Sequence, residues 1–263
     1  MNTRRLAMPA LALLICTSVA NADVSLSTGL EYSSGSYGGT EDIEDLYVPV
    51  TLRMNNSRFG ASLTVPYLRV RAPADTIIGP DGQPLPGSGE ITTESGLGDI
   101  TASVTLFDAF YSPDLDFALD VTGAVKFGTA DVDAGLGTGE SDVSLYLDGY
   151  KWFDRFTLIG SVGYRWRGEP ADVDVDDVLM ASVGGAWEAG SASMLGIMFD
   201  YRQSALAGAD DIQEATAFVS FGLSERRYLE VYAFTGFTDS SADWGGGVSF
   251  TTDFKPLSVR SDR

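Results

Sequence analysis

The sequence predicts an all-β fold, a transmembrane antiparallel up-and-down barrel of about twelve strands. Three observations predict it. After residue 22, segments of roughly ten residues alternate apolar and polar side chains and are separated by turn residues. No helical periodicity of useful length interrupts them, and no apolar run approaches the roughly 20 residues of a spanning helix. The connections alternate between long and short along the chain.

The 263-residue chain opens with Arg4 and Arg5, an apolar stretch over Leu6 to Val19, and Ala20-Asn21-Ala22. A basic start, an apolar centre and an A-x-A site are the layout of a secretory signal peptide. Residues 1–22 are therefore expected to be cleaved, leaving a barrel over 23–254 and a short tail over 255–263. Cys16, the only cysteine, lies inside the leader and follows Ile15 rather than a small residue, so lipidation is not expected. A mature chain without cysteine needs no disulfide in an oxidising periplasm.

The strands are expected at 24–34, 44–54, 58–71, 96–107, 115–128, 141–153, 155–168, 177–188, 192–204, 212–223, 227–238 and 243–254. An even number places both termini in the periplasm. Connections after even-numbered strands should then be short, and they are: Asn55-Asn56-Ser57, Ala109 to Asp114, Asp154, Ala189 to Ser191, and Ser224 to Arg226. The other set is mostly longer: Gly35 to Ile43, Ala72 to Ser95, Thr129 to Glu140, Glu169 to Asp176, Ala205 to Asp211, and Asp239 to Ala242. The longest, Ala72 to Ser95, carries a Pro- and Gly-rich run from Gly79 to Gly87. Two readings stay open for it: a loop folded into the barrel mouth, or a mobile surface loop.

Period two assigns the faces. Over 115–128, Phe117, Leu119, Val121, Val125 and Phe127 face lipid, while Asp120, Thr122, Ala124 and Lys126 face the lumen. Over 141–153, Val143, Leu145 and Leu147 face out, and Asp142, Ser144, Tyr146 and Asp148 face in. Arg165 and Arg167, then Asp200 and Arg202, take the inner phase of their strands. An Arg or Lys facing mid-bilayer lipid costs about 2–4 kcal/mol, which drives such charges inward or to a rim. The candidate lumen-lining residues are Asp120, Lys126, Asp142, Asp148, Arg165, Arg167, Asp200 and Arg202. Glu31, Arg53, Asp99, Glu214 and Glu230 complete the inward charged set. A hydrated pore and a salt-bridged, plugged interior both fit this mixture, because twelve strands fall between filled and open barrels. Arg69 and Arg71 share the outward phase of Leu63 and Tyr67. They sit at the rim, or Pro66 marks a bulge that shifts the register.

Composition excludes whole classes of function. The formal charge is −20, and without the leader 15 basic residues stand against 37 acidic ones. No nucleic-acid partner is expected, since such binding rests on basic patches. The chain has no histidine, which removes histidine-dependent hydrolytic and metal sites. Asp172, Asp174 and Asp176 alternate in one loop, but without the glycine turn and distal Glu of a calcium loop they read as a solvated acidic segment. The Gly-x-Gly patterns at Gly96 and Gly135 precede no helix and are not nucleotide fingerprints. No catalytic residue, metal site or cofactor is expected.

Three stretches carry a family resemblance: Glu94-Ser95-Gly96-Leu97-Gly98-Asp99-Ile100-Thr101, Gly137-Thr138-Gly139-Glu140-Ser141-Asp142-Val143-Ser144-Leu145, and Gly160-Ser161-Val162-Gly163-Tyr164-Arg165-Trp166-Arg167-Gly168. Their succession over about residues 90–254 resembles outer-membrane proteins grouped under a MetA pathway of phenol degradation. The resemblance implies a porin-like transporter of small, often aromatic, organic molecules in the bacterial cell outer membrane. The implied partners are outer-membrane lipid and lipopolysaccharide, a small-molecule solute, and the barrel-assembly machinery. Many such barrels end on an aromatic residue; here Phe254 closes the last strand and Lys255 to Arg263 follow. The alternative is a non-conducting structural or surface-interaction barrel that acts through acidic extracellular loops.

Overall fold

A computed structural model describes residues 22–78, 84, 85, 87, 89–170 and 174–254. Residues 1–21 of the leader with Cys16, the run from Gly79 to Gln83, Asp172, and the tail over 255–263 lie outside the described residues. Among the described residues, fifteen strands form in chain order. They are β1 (Asp23–Gly35), β2 (Ile43–Asn55), β3 (Phe59–Pro73), β4 (Ile77–Ile78), β5 (Pro84–Leu85), β6 (Ile91–Leu97), β7 (Ile100–Ser112), β8 (Phe117–Phe127), β9 (Asp142–Phe153), β10 (Phe156–Trp166), β11 (Val178–Glu188), β12 (Ser193–Arg202), β13 (Ile212–Ser224), β14 (Arg227–Gly236) and β15 (Trp244–Phe254).

Every neighbouring pair in the wall is antiparallel, β1 pairs with both β2 and β15, and β2 pairs with β3, so the sheet closes. β6 and β7 are two pieces of one stave: β6 pairs with Tyr67 to Pro73 of β3, and β7 with Phe59 to Thr64. The wall is thus a closed antiparallel barrel of twelve staves. Closure matters physically, since an unpaired sheet edge in hydrocarbon would leave backbone groups without partners. β4 and β5 form a separate two-stranded ribbon.

One end carries the connections 56–58, 113–116, 154–155, 189–192 and 225–226, and the other carries 36–42, 74–90, 128–141, 167–177, 203–211 and 237–243. Eleven staves follow the alternating sequence pattern within a few residues. The fourth does not. It starts at Ile91 rather than 96, breaks at Gly98-Asp99, and runs on to Ser112, with a register shift between Leu106 and Phe110. The expected loop 72–95 is correspondingly shorter, and the expected turn from Ala109 shrinks to the short 3-10 turn Pro113–Leu115. The bulge is what the alternation hid: Asp108 adopts φ 49, so the pattern changes phase there.

Pro66 does not shift the register. Pro49 and Pro66 face each other directly in an unshifted β2–β3 ladder, and Arg69 and Arg71 lie exposed toward the long-loop end, where Arg71 pairs with Glu44 at 2.9 Å. The rim reading therefore holds. The Pro66 carbonyl accepts from the Gly98 N–H, so the proline nitrogen also points at the β6–β7 break. Pro49 then points the opposite way, toward β1, where the pairing lapses between Thr28↔Val50 and Glu31↔Tyr47. Each proline removes one ladder donor at the place where the pairing lapses.

The outer surface is apolar: Leu145, Leu147, Val162, Val183, Ile197 and Val231 are all exposed. Aromatic rings gather toward both ends, Tyr164–Trp166 and Tyr32–Trp244 beneath the long loops, and Phe153–Phe156–Trp187 above the short turns. Two such girdles are what the interfaces of a bilayer select. The buried apolar cluster is off-centre: Ile43, Leu68, Val70, Ala72, Ile78, Ala130 and Leu136 collect at the long-loop mouth.

Candidate functional site: the barrel lumen

Alternation sends Leu68, Val70 and Ala72 of β3 inward, out of phase with the exposed Tyr67, Arg69 and Arg71. In an aqueous lumen they would face water, but two loops cover them. Ile78 of the ribbon and Leu136 of loop 128–141 are 4% and 2% exposed on this patch. The loops also join each other, as the Ile78 N–H donates to the Gly135 carbonyl at 2.8 Å. Gly135 is required there: its φ is +67, and a side-chain carbon would lie 2.4 Å from the Thr76 carbonyl oxygen. Burying Ile78 and Leu136 contributes about 1.5–3 kcal/mol each, which offsets part of the cost of ordering the loops. The longest loop thus packs into the barrel mouth through its described part.

Asp99, in the break between β6 and β7, ties loop 128–141 to the wall. Its Oδ1 accepts from the N–H groups of Thr129 and Ala130, both at 3.0 Å. Its Oδ2 accepts from Lys126 Nζ at 2.6 Å, and Lys126 also reaches Asp142 at 3.5 Å. Asp142 is 1% exposed and accepts from the Gly168 N–H at 3.1 Å. The three stretches singled out in the sequence therefore meet here, the first through Asp99, the second through Asp142 and the third through Gly168.

Below this knot lies a cavity of about 410 Å³ lined by residues from most of the staves. Lys126, Arg165 and Arg202 line it from β8, β10 and β12, and Glu31, Asp45 and Glu214 from β1, β2 and β13. Arg165 is held by donating from Nε to Ser144 Oγ and from Nη2 to Tyr146 Oη, both at 3.0 Å. Arg167 follows the end of β10, with Asp142, Asp177 and Arg202 as charged neighbours. Tyr232 donates a short hydrogen bond to Glu31. Phe234 lines the same cavity. Gly245 and Gly247 lie under the Phe234 and Tyr232 rings, where any side chain would collide at 2.2–2.6 Å.

The remaining candidates sit elsewhere along the barrel. Asp120 and Asp148 are direct cross-strand partners; Asp120 accepts from the Asp108 N–H at 2.8 Å, and Asp148 from Ser161 Oγ at 2.6 Å. Asp200 accepts from Ser182 Oγ at 2.6 Å. Toward the short-turn end the wall carries hydroxyl pairs, Ser27–Thr251, Thr51–Thr64, Ser62–Ser103 and Thr105–Thr122, at 2.8–2.9 Å. A second cavity of about 290 Å³, lined by Ser27, Thr51, Arg53, Tyr228 and Glu230 among others, lies in that half.

Among the loop residues, Tyr37 and Asp211 are shifted in opposite senses. Burial pushes the Tyr37 hydroxyl up. Asp211 is held below the usual carboxylate range by the Ser204 N–H and the Tyr201 hydroxyl, at 2.9 and 2.7 Å.

Sequence reasoning missed Asp45, Tyr47 and Tyr37. Asp45 and Tyr47 share the phase of the inward Arg53 on β2, so period two would have found them. Tyr37 sits in a loop and carried no signal.

The family model described as "Putative MetA-pathway of phenol degradation" matches residues 21–254, and the chain belongs to that family. No curated protein matches the sequence. The COG4313 outer membrane channel from Pseudomonas putida F1 has the same fold, with a TM-score of 0.72 at 12% identity, covering 89% of this chain and 96% of that one. The NanC porin gives 0.59 at 8% identity, covering 87% and 100%. The β domain of the Bordetella autotransporter BrkA gives 0.54 at 14% identity, covering 89% and 100%. The fold is that of outer-membrane β-barrels.

Proposed function

We propose that this protein is an outer-membrane channel for the passive passage of small solutes, aromatic and other organic molecules among them. The observation that carries the reading is the polar cavity inside the closed wall, ringed by residues of most of the staves. A second polar cavity lies in the half toward the short-turn end. Asp120, Lys126, Asp142, Asp148, Arg165, Arg167, Asp200 and Arg202 would line the path and bias its selectivity. The porin and channel folds that match the chain fit this reading, and its lack of histidine fits a barrel without hydrolytic chemistry. A leader cleaved after Ala22, insertion by the barrel-assembly machinery, and contact of the acidic loops with lipopolysaccharide belong to the same proposal.

A second reading, a non-conducting surface barrel, is favoured by one observation. Ile78 and Leu136 pack in the mouth, and Lys126 is paired to Asp99 and Asp142. Planar-bilayer recording of protein extracted from outer membranes separates the two. Discrete current steps, narrow for the barrel's size because the loops fill part of the mouth, are the expected result. Silence from protein shown to be folded by heat-modifiable migration would overturn the channel reading.

A further inference from the structure

The upper cavity has walls of opposite sign. Arg165 approaches from β10, and Glu31 and Asp45 from β1 and β2, while Lys126 of β8 lines the cavity paired with Asp99 beside it. In a ring of twelve staves, β1 and β10 lie half a circuit apart, so Arg165 and Glu31 face each other across the lumen. Arg202 of β12 has Arg165 and Arg167 as cationic neighbours, and Glu214 and Asp200 as acidic ones. Glu214 of β13 stands between Arg202 of the adjacent β12 and Glu31 of β1, so the two walls meet on that side.

Each wall is held in place by its own contacts. Ser144 and Tyr146 anchor Arg165, and Tyr232 anchors Glu31. Tyr37, Tyr47 and Phe234 put aromatic faces into the same cavity, and Leu68, Ile78 and Leu136 form an apolar surface beneath the loops. At about 410 Å³ the space falls within the range of small-molecule sites.

Neither sign dominates this lining, so it is not a filter for one sign of ion. A solute with a single charge is drawn to one wall and repelled by the other. A solute carrying both charges, a few ångströms apart, pairs with both at once, and the field across the lumen orients it. We infer that the cavity binds small zwitterions of the α-amino acid type, with the ammonium group on the Glu31–Asp45 wall, the carboxylate on the Arg165–Arg202 wall, and an apolar side chain against Leu68, Ile78 and Leu136. The inference rests on the channel reading for its physiological role, but the site is defined by the cavity alone.

Four probes of similar size test it: phenylalanine, 3-phenylpropionate without the amine, phenethylamine without the carboxylate, and 2-phenylethanol without either. Block of single-channel current is measured together with equilibrium dialysis of labelled probe against the detergent-extracted protein. Phenylalanine should bind at least tenfold more tightly than the other three. The pair Arg165→Gln with Arg202→Gln, and the pair Glu31→Gln with Asp45→Asn, should each remove that tenfold preference while heat-modifiable migration stays normal. Equal binding of the four probes by the wild-type protein would overturn the inference, as would a preference that survives both double variants. Because the wild-type panel is decisive alone, a variant that fails to fold leaves the test intact. Zwitterion-selective dialysis without current would sink the channel reading and keep the site. Current without the preference would do the reverse.

Discussion

The arc of wall from β1 to β7 and the arc from β8 to β12 solve the same problem differently. The second has unbroken ladders, from Ile100↔Phe127 at its border round to Met180↔Arg202, apart from the bulge shared with β7. Its inner face carries charges satisfied by neighbouring hydroxyls, as with Ser161–Asp148 and Ser182–Asp200. The first arc loses ladder donors at Pro49 and Pro66 and breaks at Gly98-Asp99. Above that level the inner face of β3 is apolar and is covered by loops. The difference shows that the mouth is built where the wall is weakest: the break frees Asp99 from the ladder, and Asp99 is what holds loop 128–141.

Proline in the unbroken arc should have the largest effect. Val183→Pro in β11, at a lipid-facing position, leaves a carbonyl unsatisfied in hydrocarbon at a cost of several kcal/mol. Loss of the heat-modifiable folded band, or a marked fall in its melting temperature, is the expected readout. Asp99→Ala comes next. It deprives two backbone N–H groups and Lys126 of their acceptor, about 1–3 kcal/mol of local stability. Loop 128–141 should become protease-sensitive while the barrel stays folded. The converse change in the weak arc is milder. Pro49→Val supplies a donor toward β1 and should stabilise the barrel by about 1 kcal/mol in urea unfolding. The smallest effect is on pH response. Because the folded pKa of Asp211 is depressed, its contribution to ordering loop 203–211 is present above the ordinary carboxylate value of about 3.9 and fades as pH falls through the lower folded value. Hydrogen exchange at the Ser204 amide should speed up on acidification below pH 4 in the wild type and be insensitive to pH, beyond the intrinsic dependence, in Asp211→Asn.

The wall was legible because lipid on one side and water on the other impose period two on every stave, and the connection lengths order them. What escaped depended on contacts between segments far apart in sequence. Leu136 stands between two glycines and Ile78 ends a short Ile77-Ile78 pair before a glycine- and proline-rich run, and nothing local marks either as buried. The β6–β7 break at Gly98-Asp99 reads locally as continuous strand, and only the pairing of both pieces with β3 reveals it. The Gly245-Gly246-Gly247 run looks permissive, yet two of its members make room for the Tyr232 and Phe234 rings across the ladder. Asp45 and Tyr47 were within reach of the same phase argument through Arg53, whereas Tyr37, in a loop, was not.

Under the proposed channel function, the loops on the weak arc set the width of the path through the barrel. Single-channel conductance of the wild type and of Leu136→Asp, recorded in the same bilayer and salt, tests this claim most directly. A buried carboxylate cannot stay on the Leu68–Val70–Ala72 patch, so the loop should leave the mouth and conductance should rise severalfold with folded migration unchanged. Equal conductance in the two proteins, or silence from both when folded, would contradict the account.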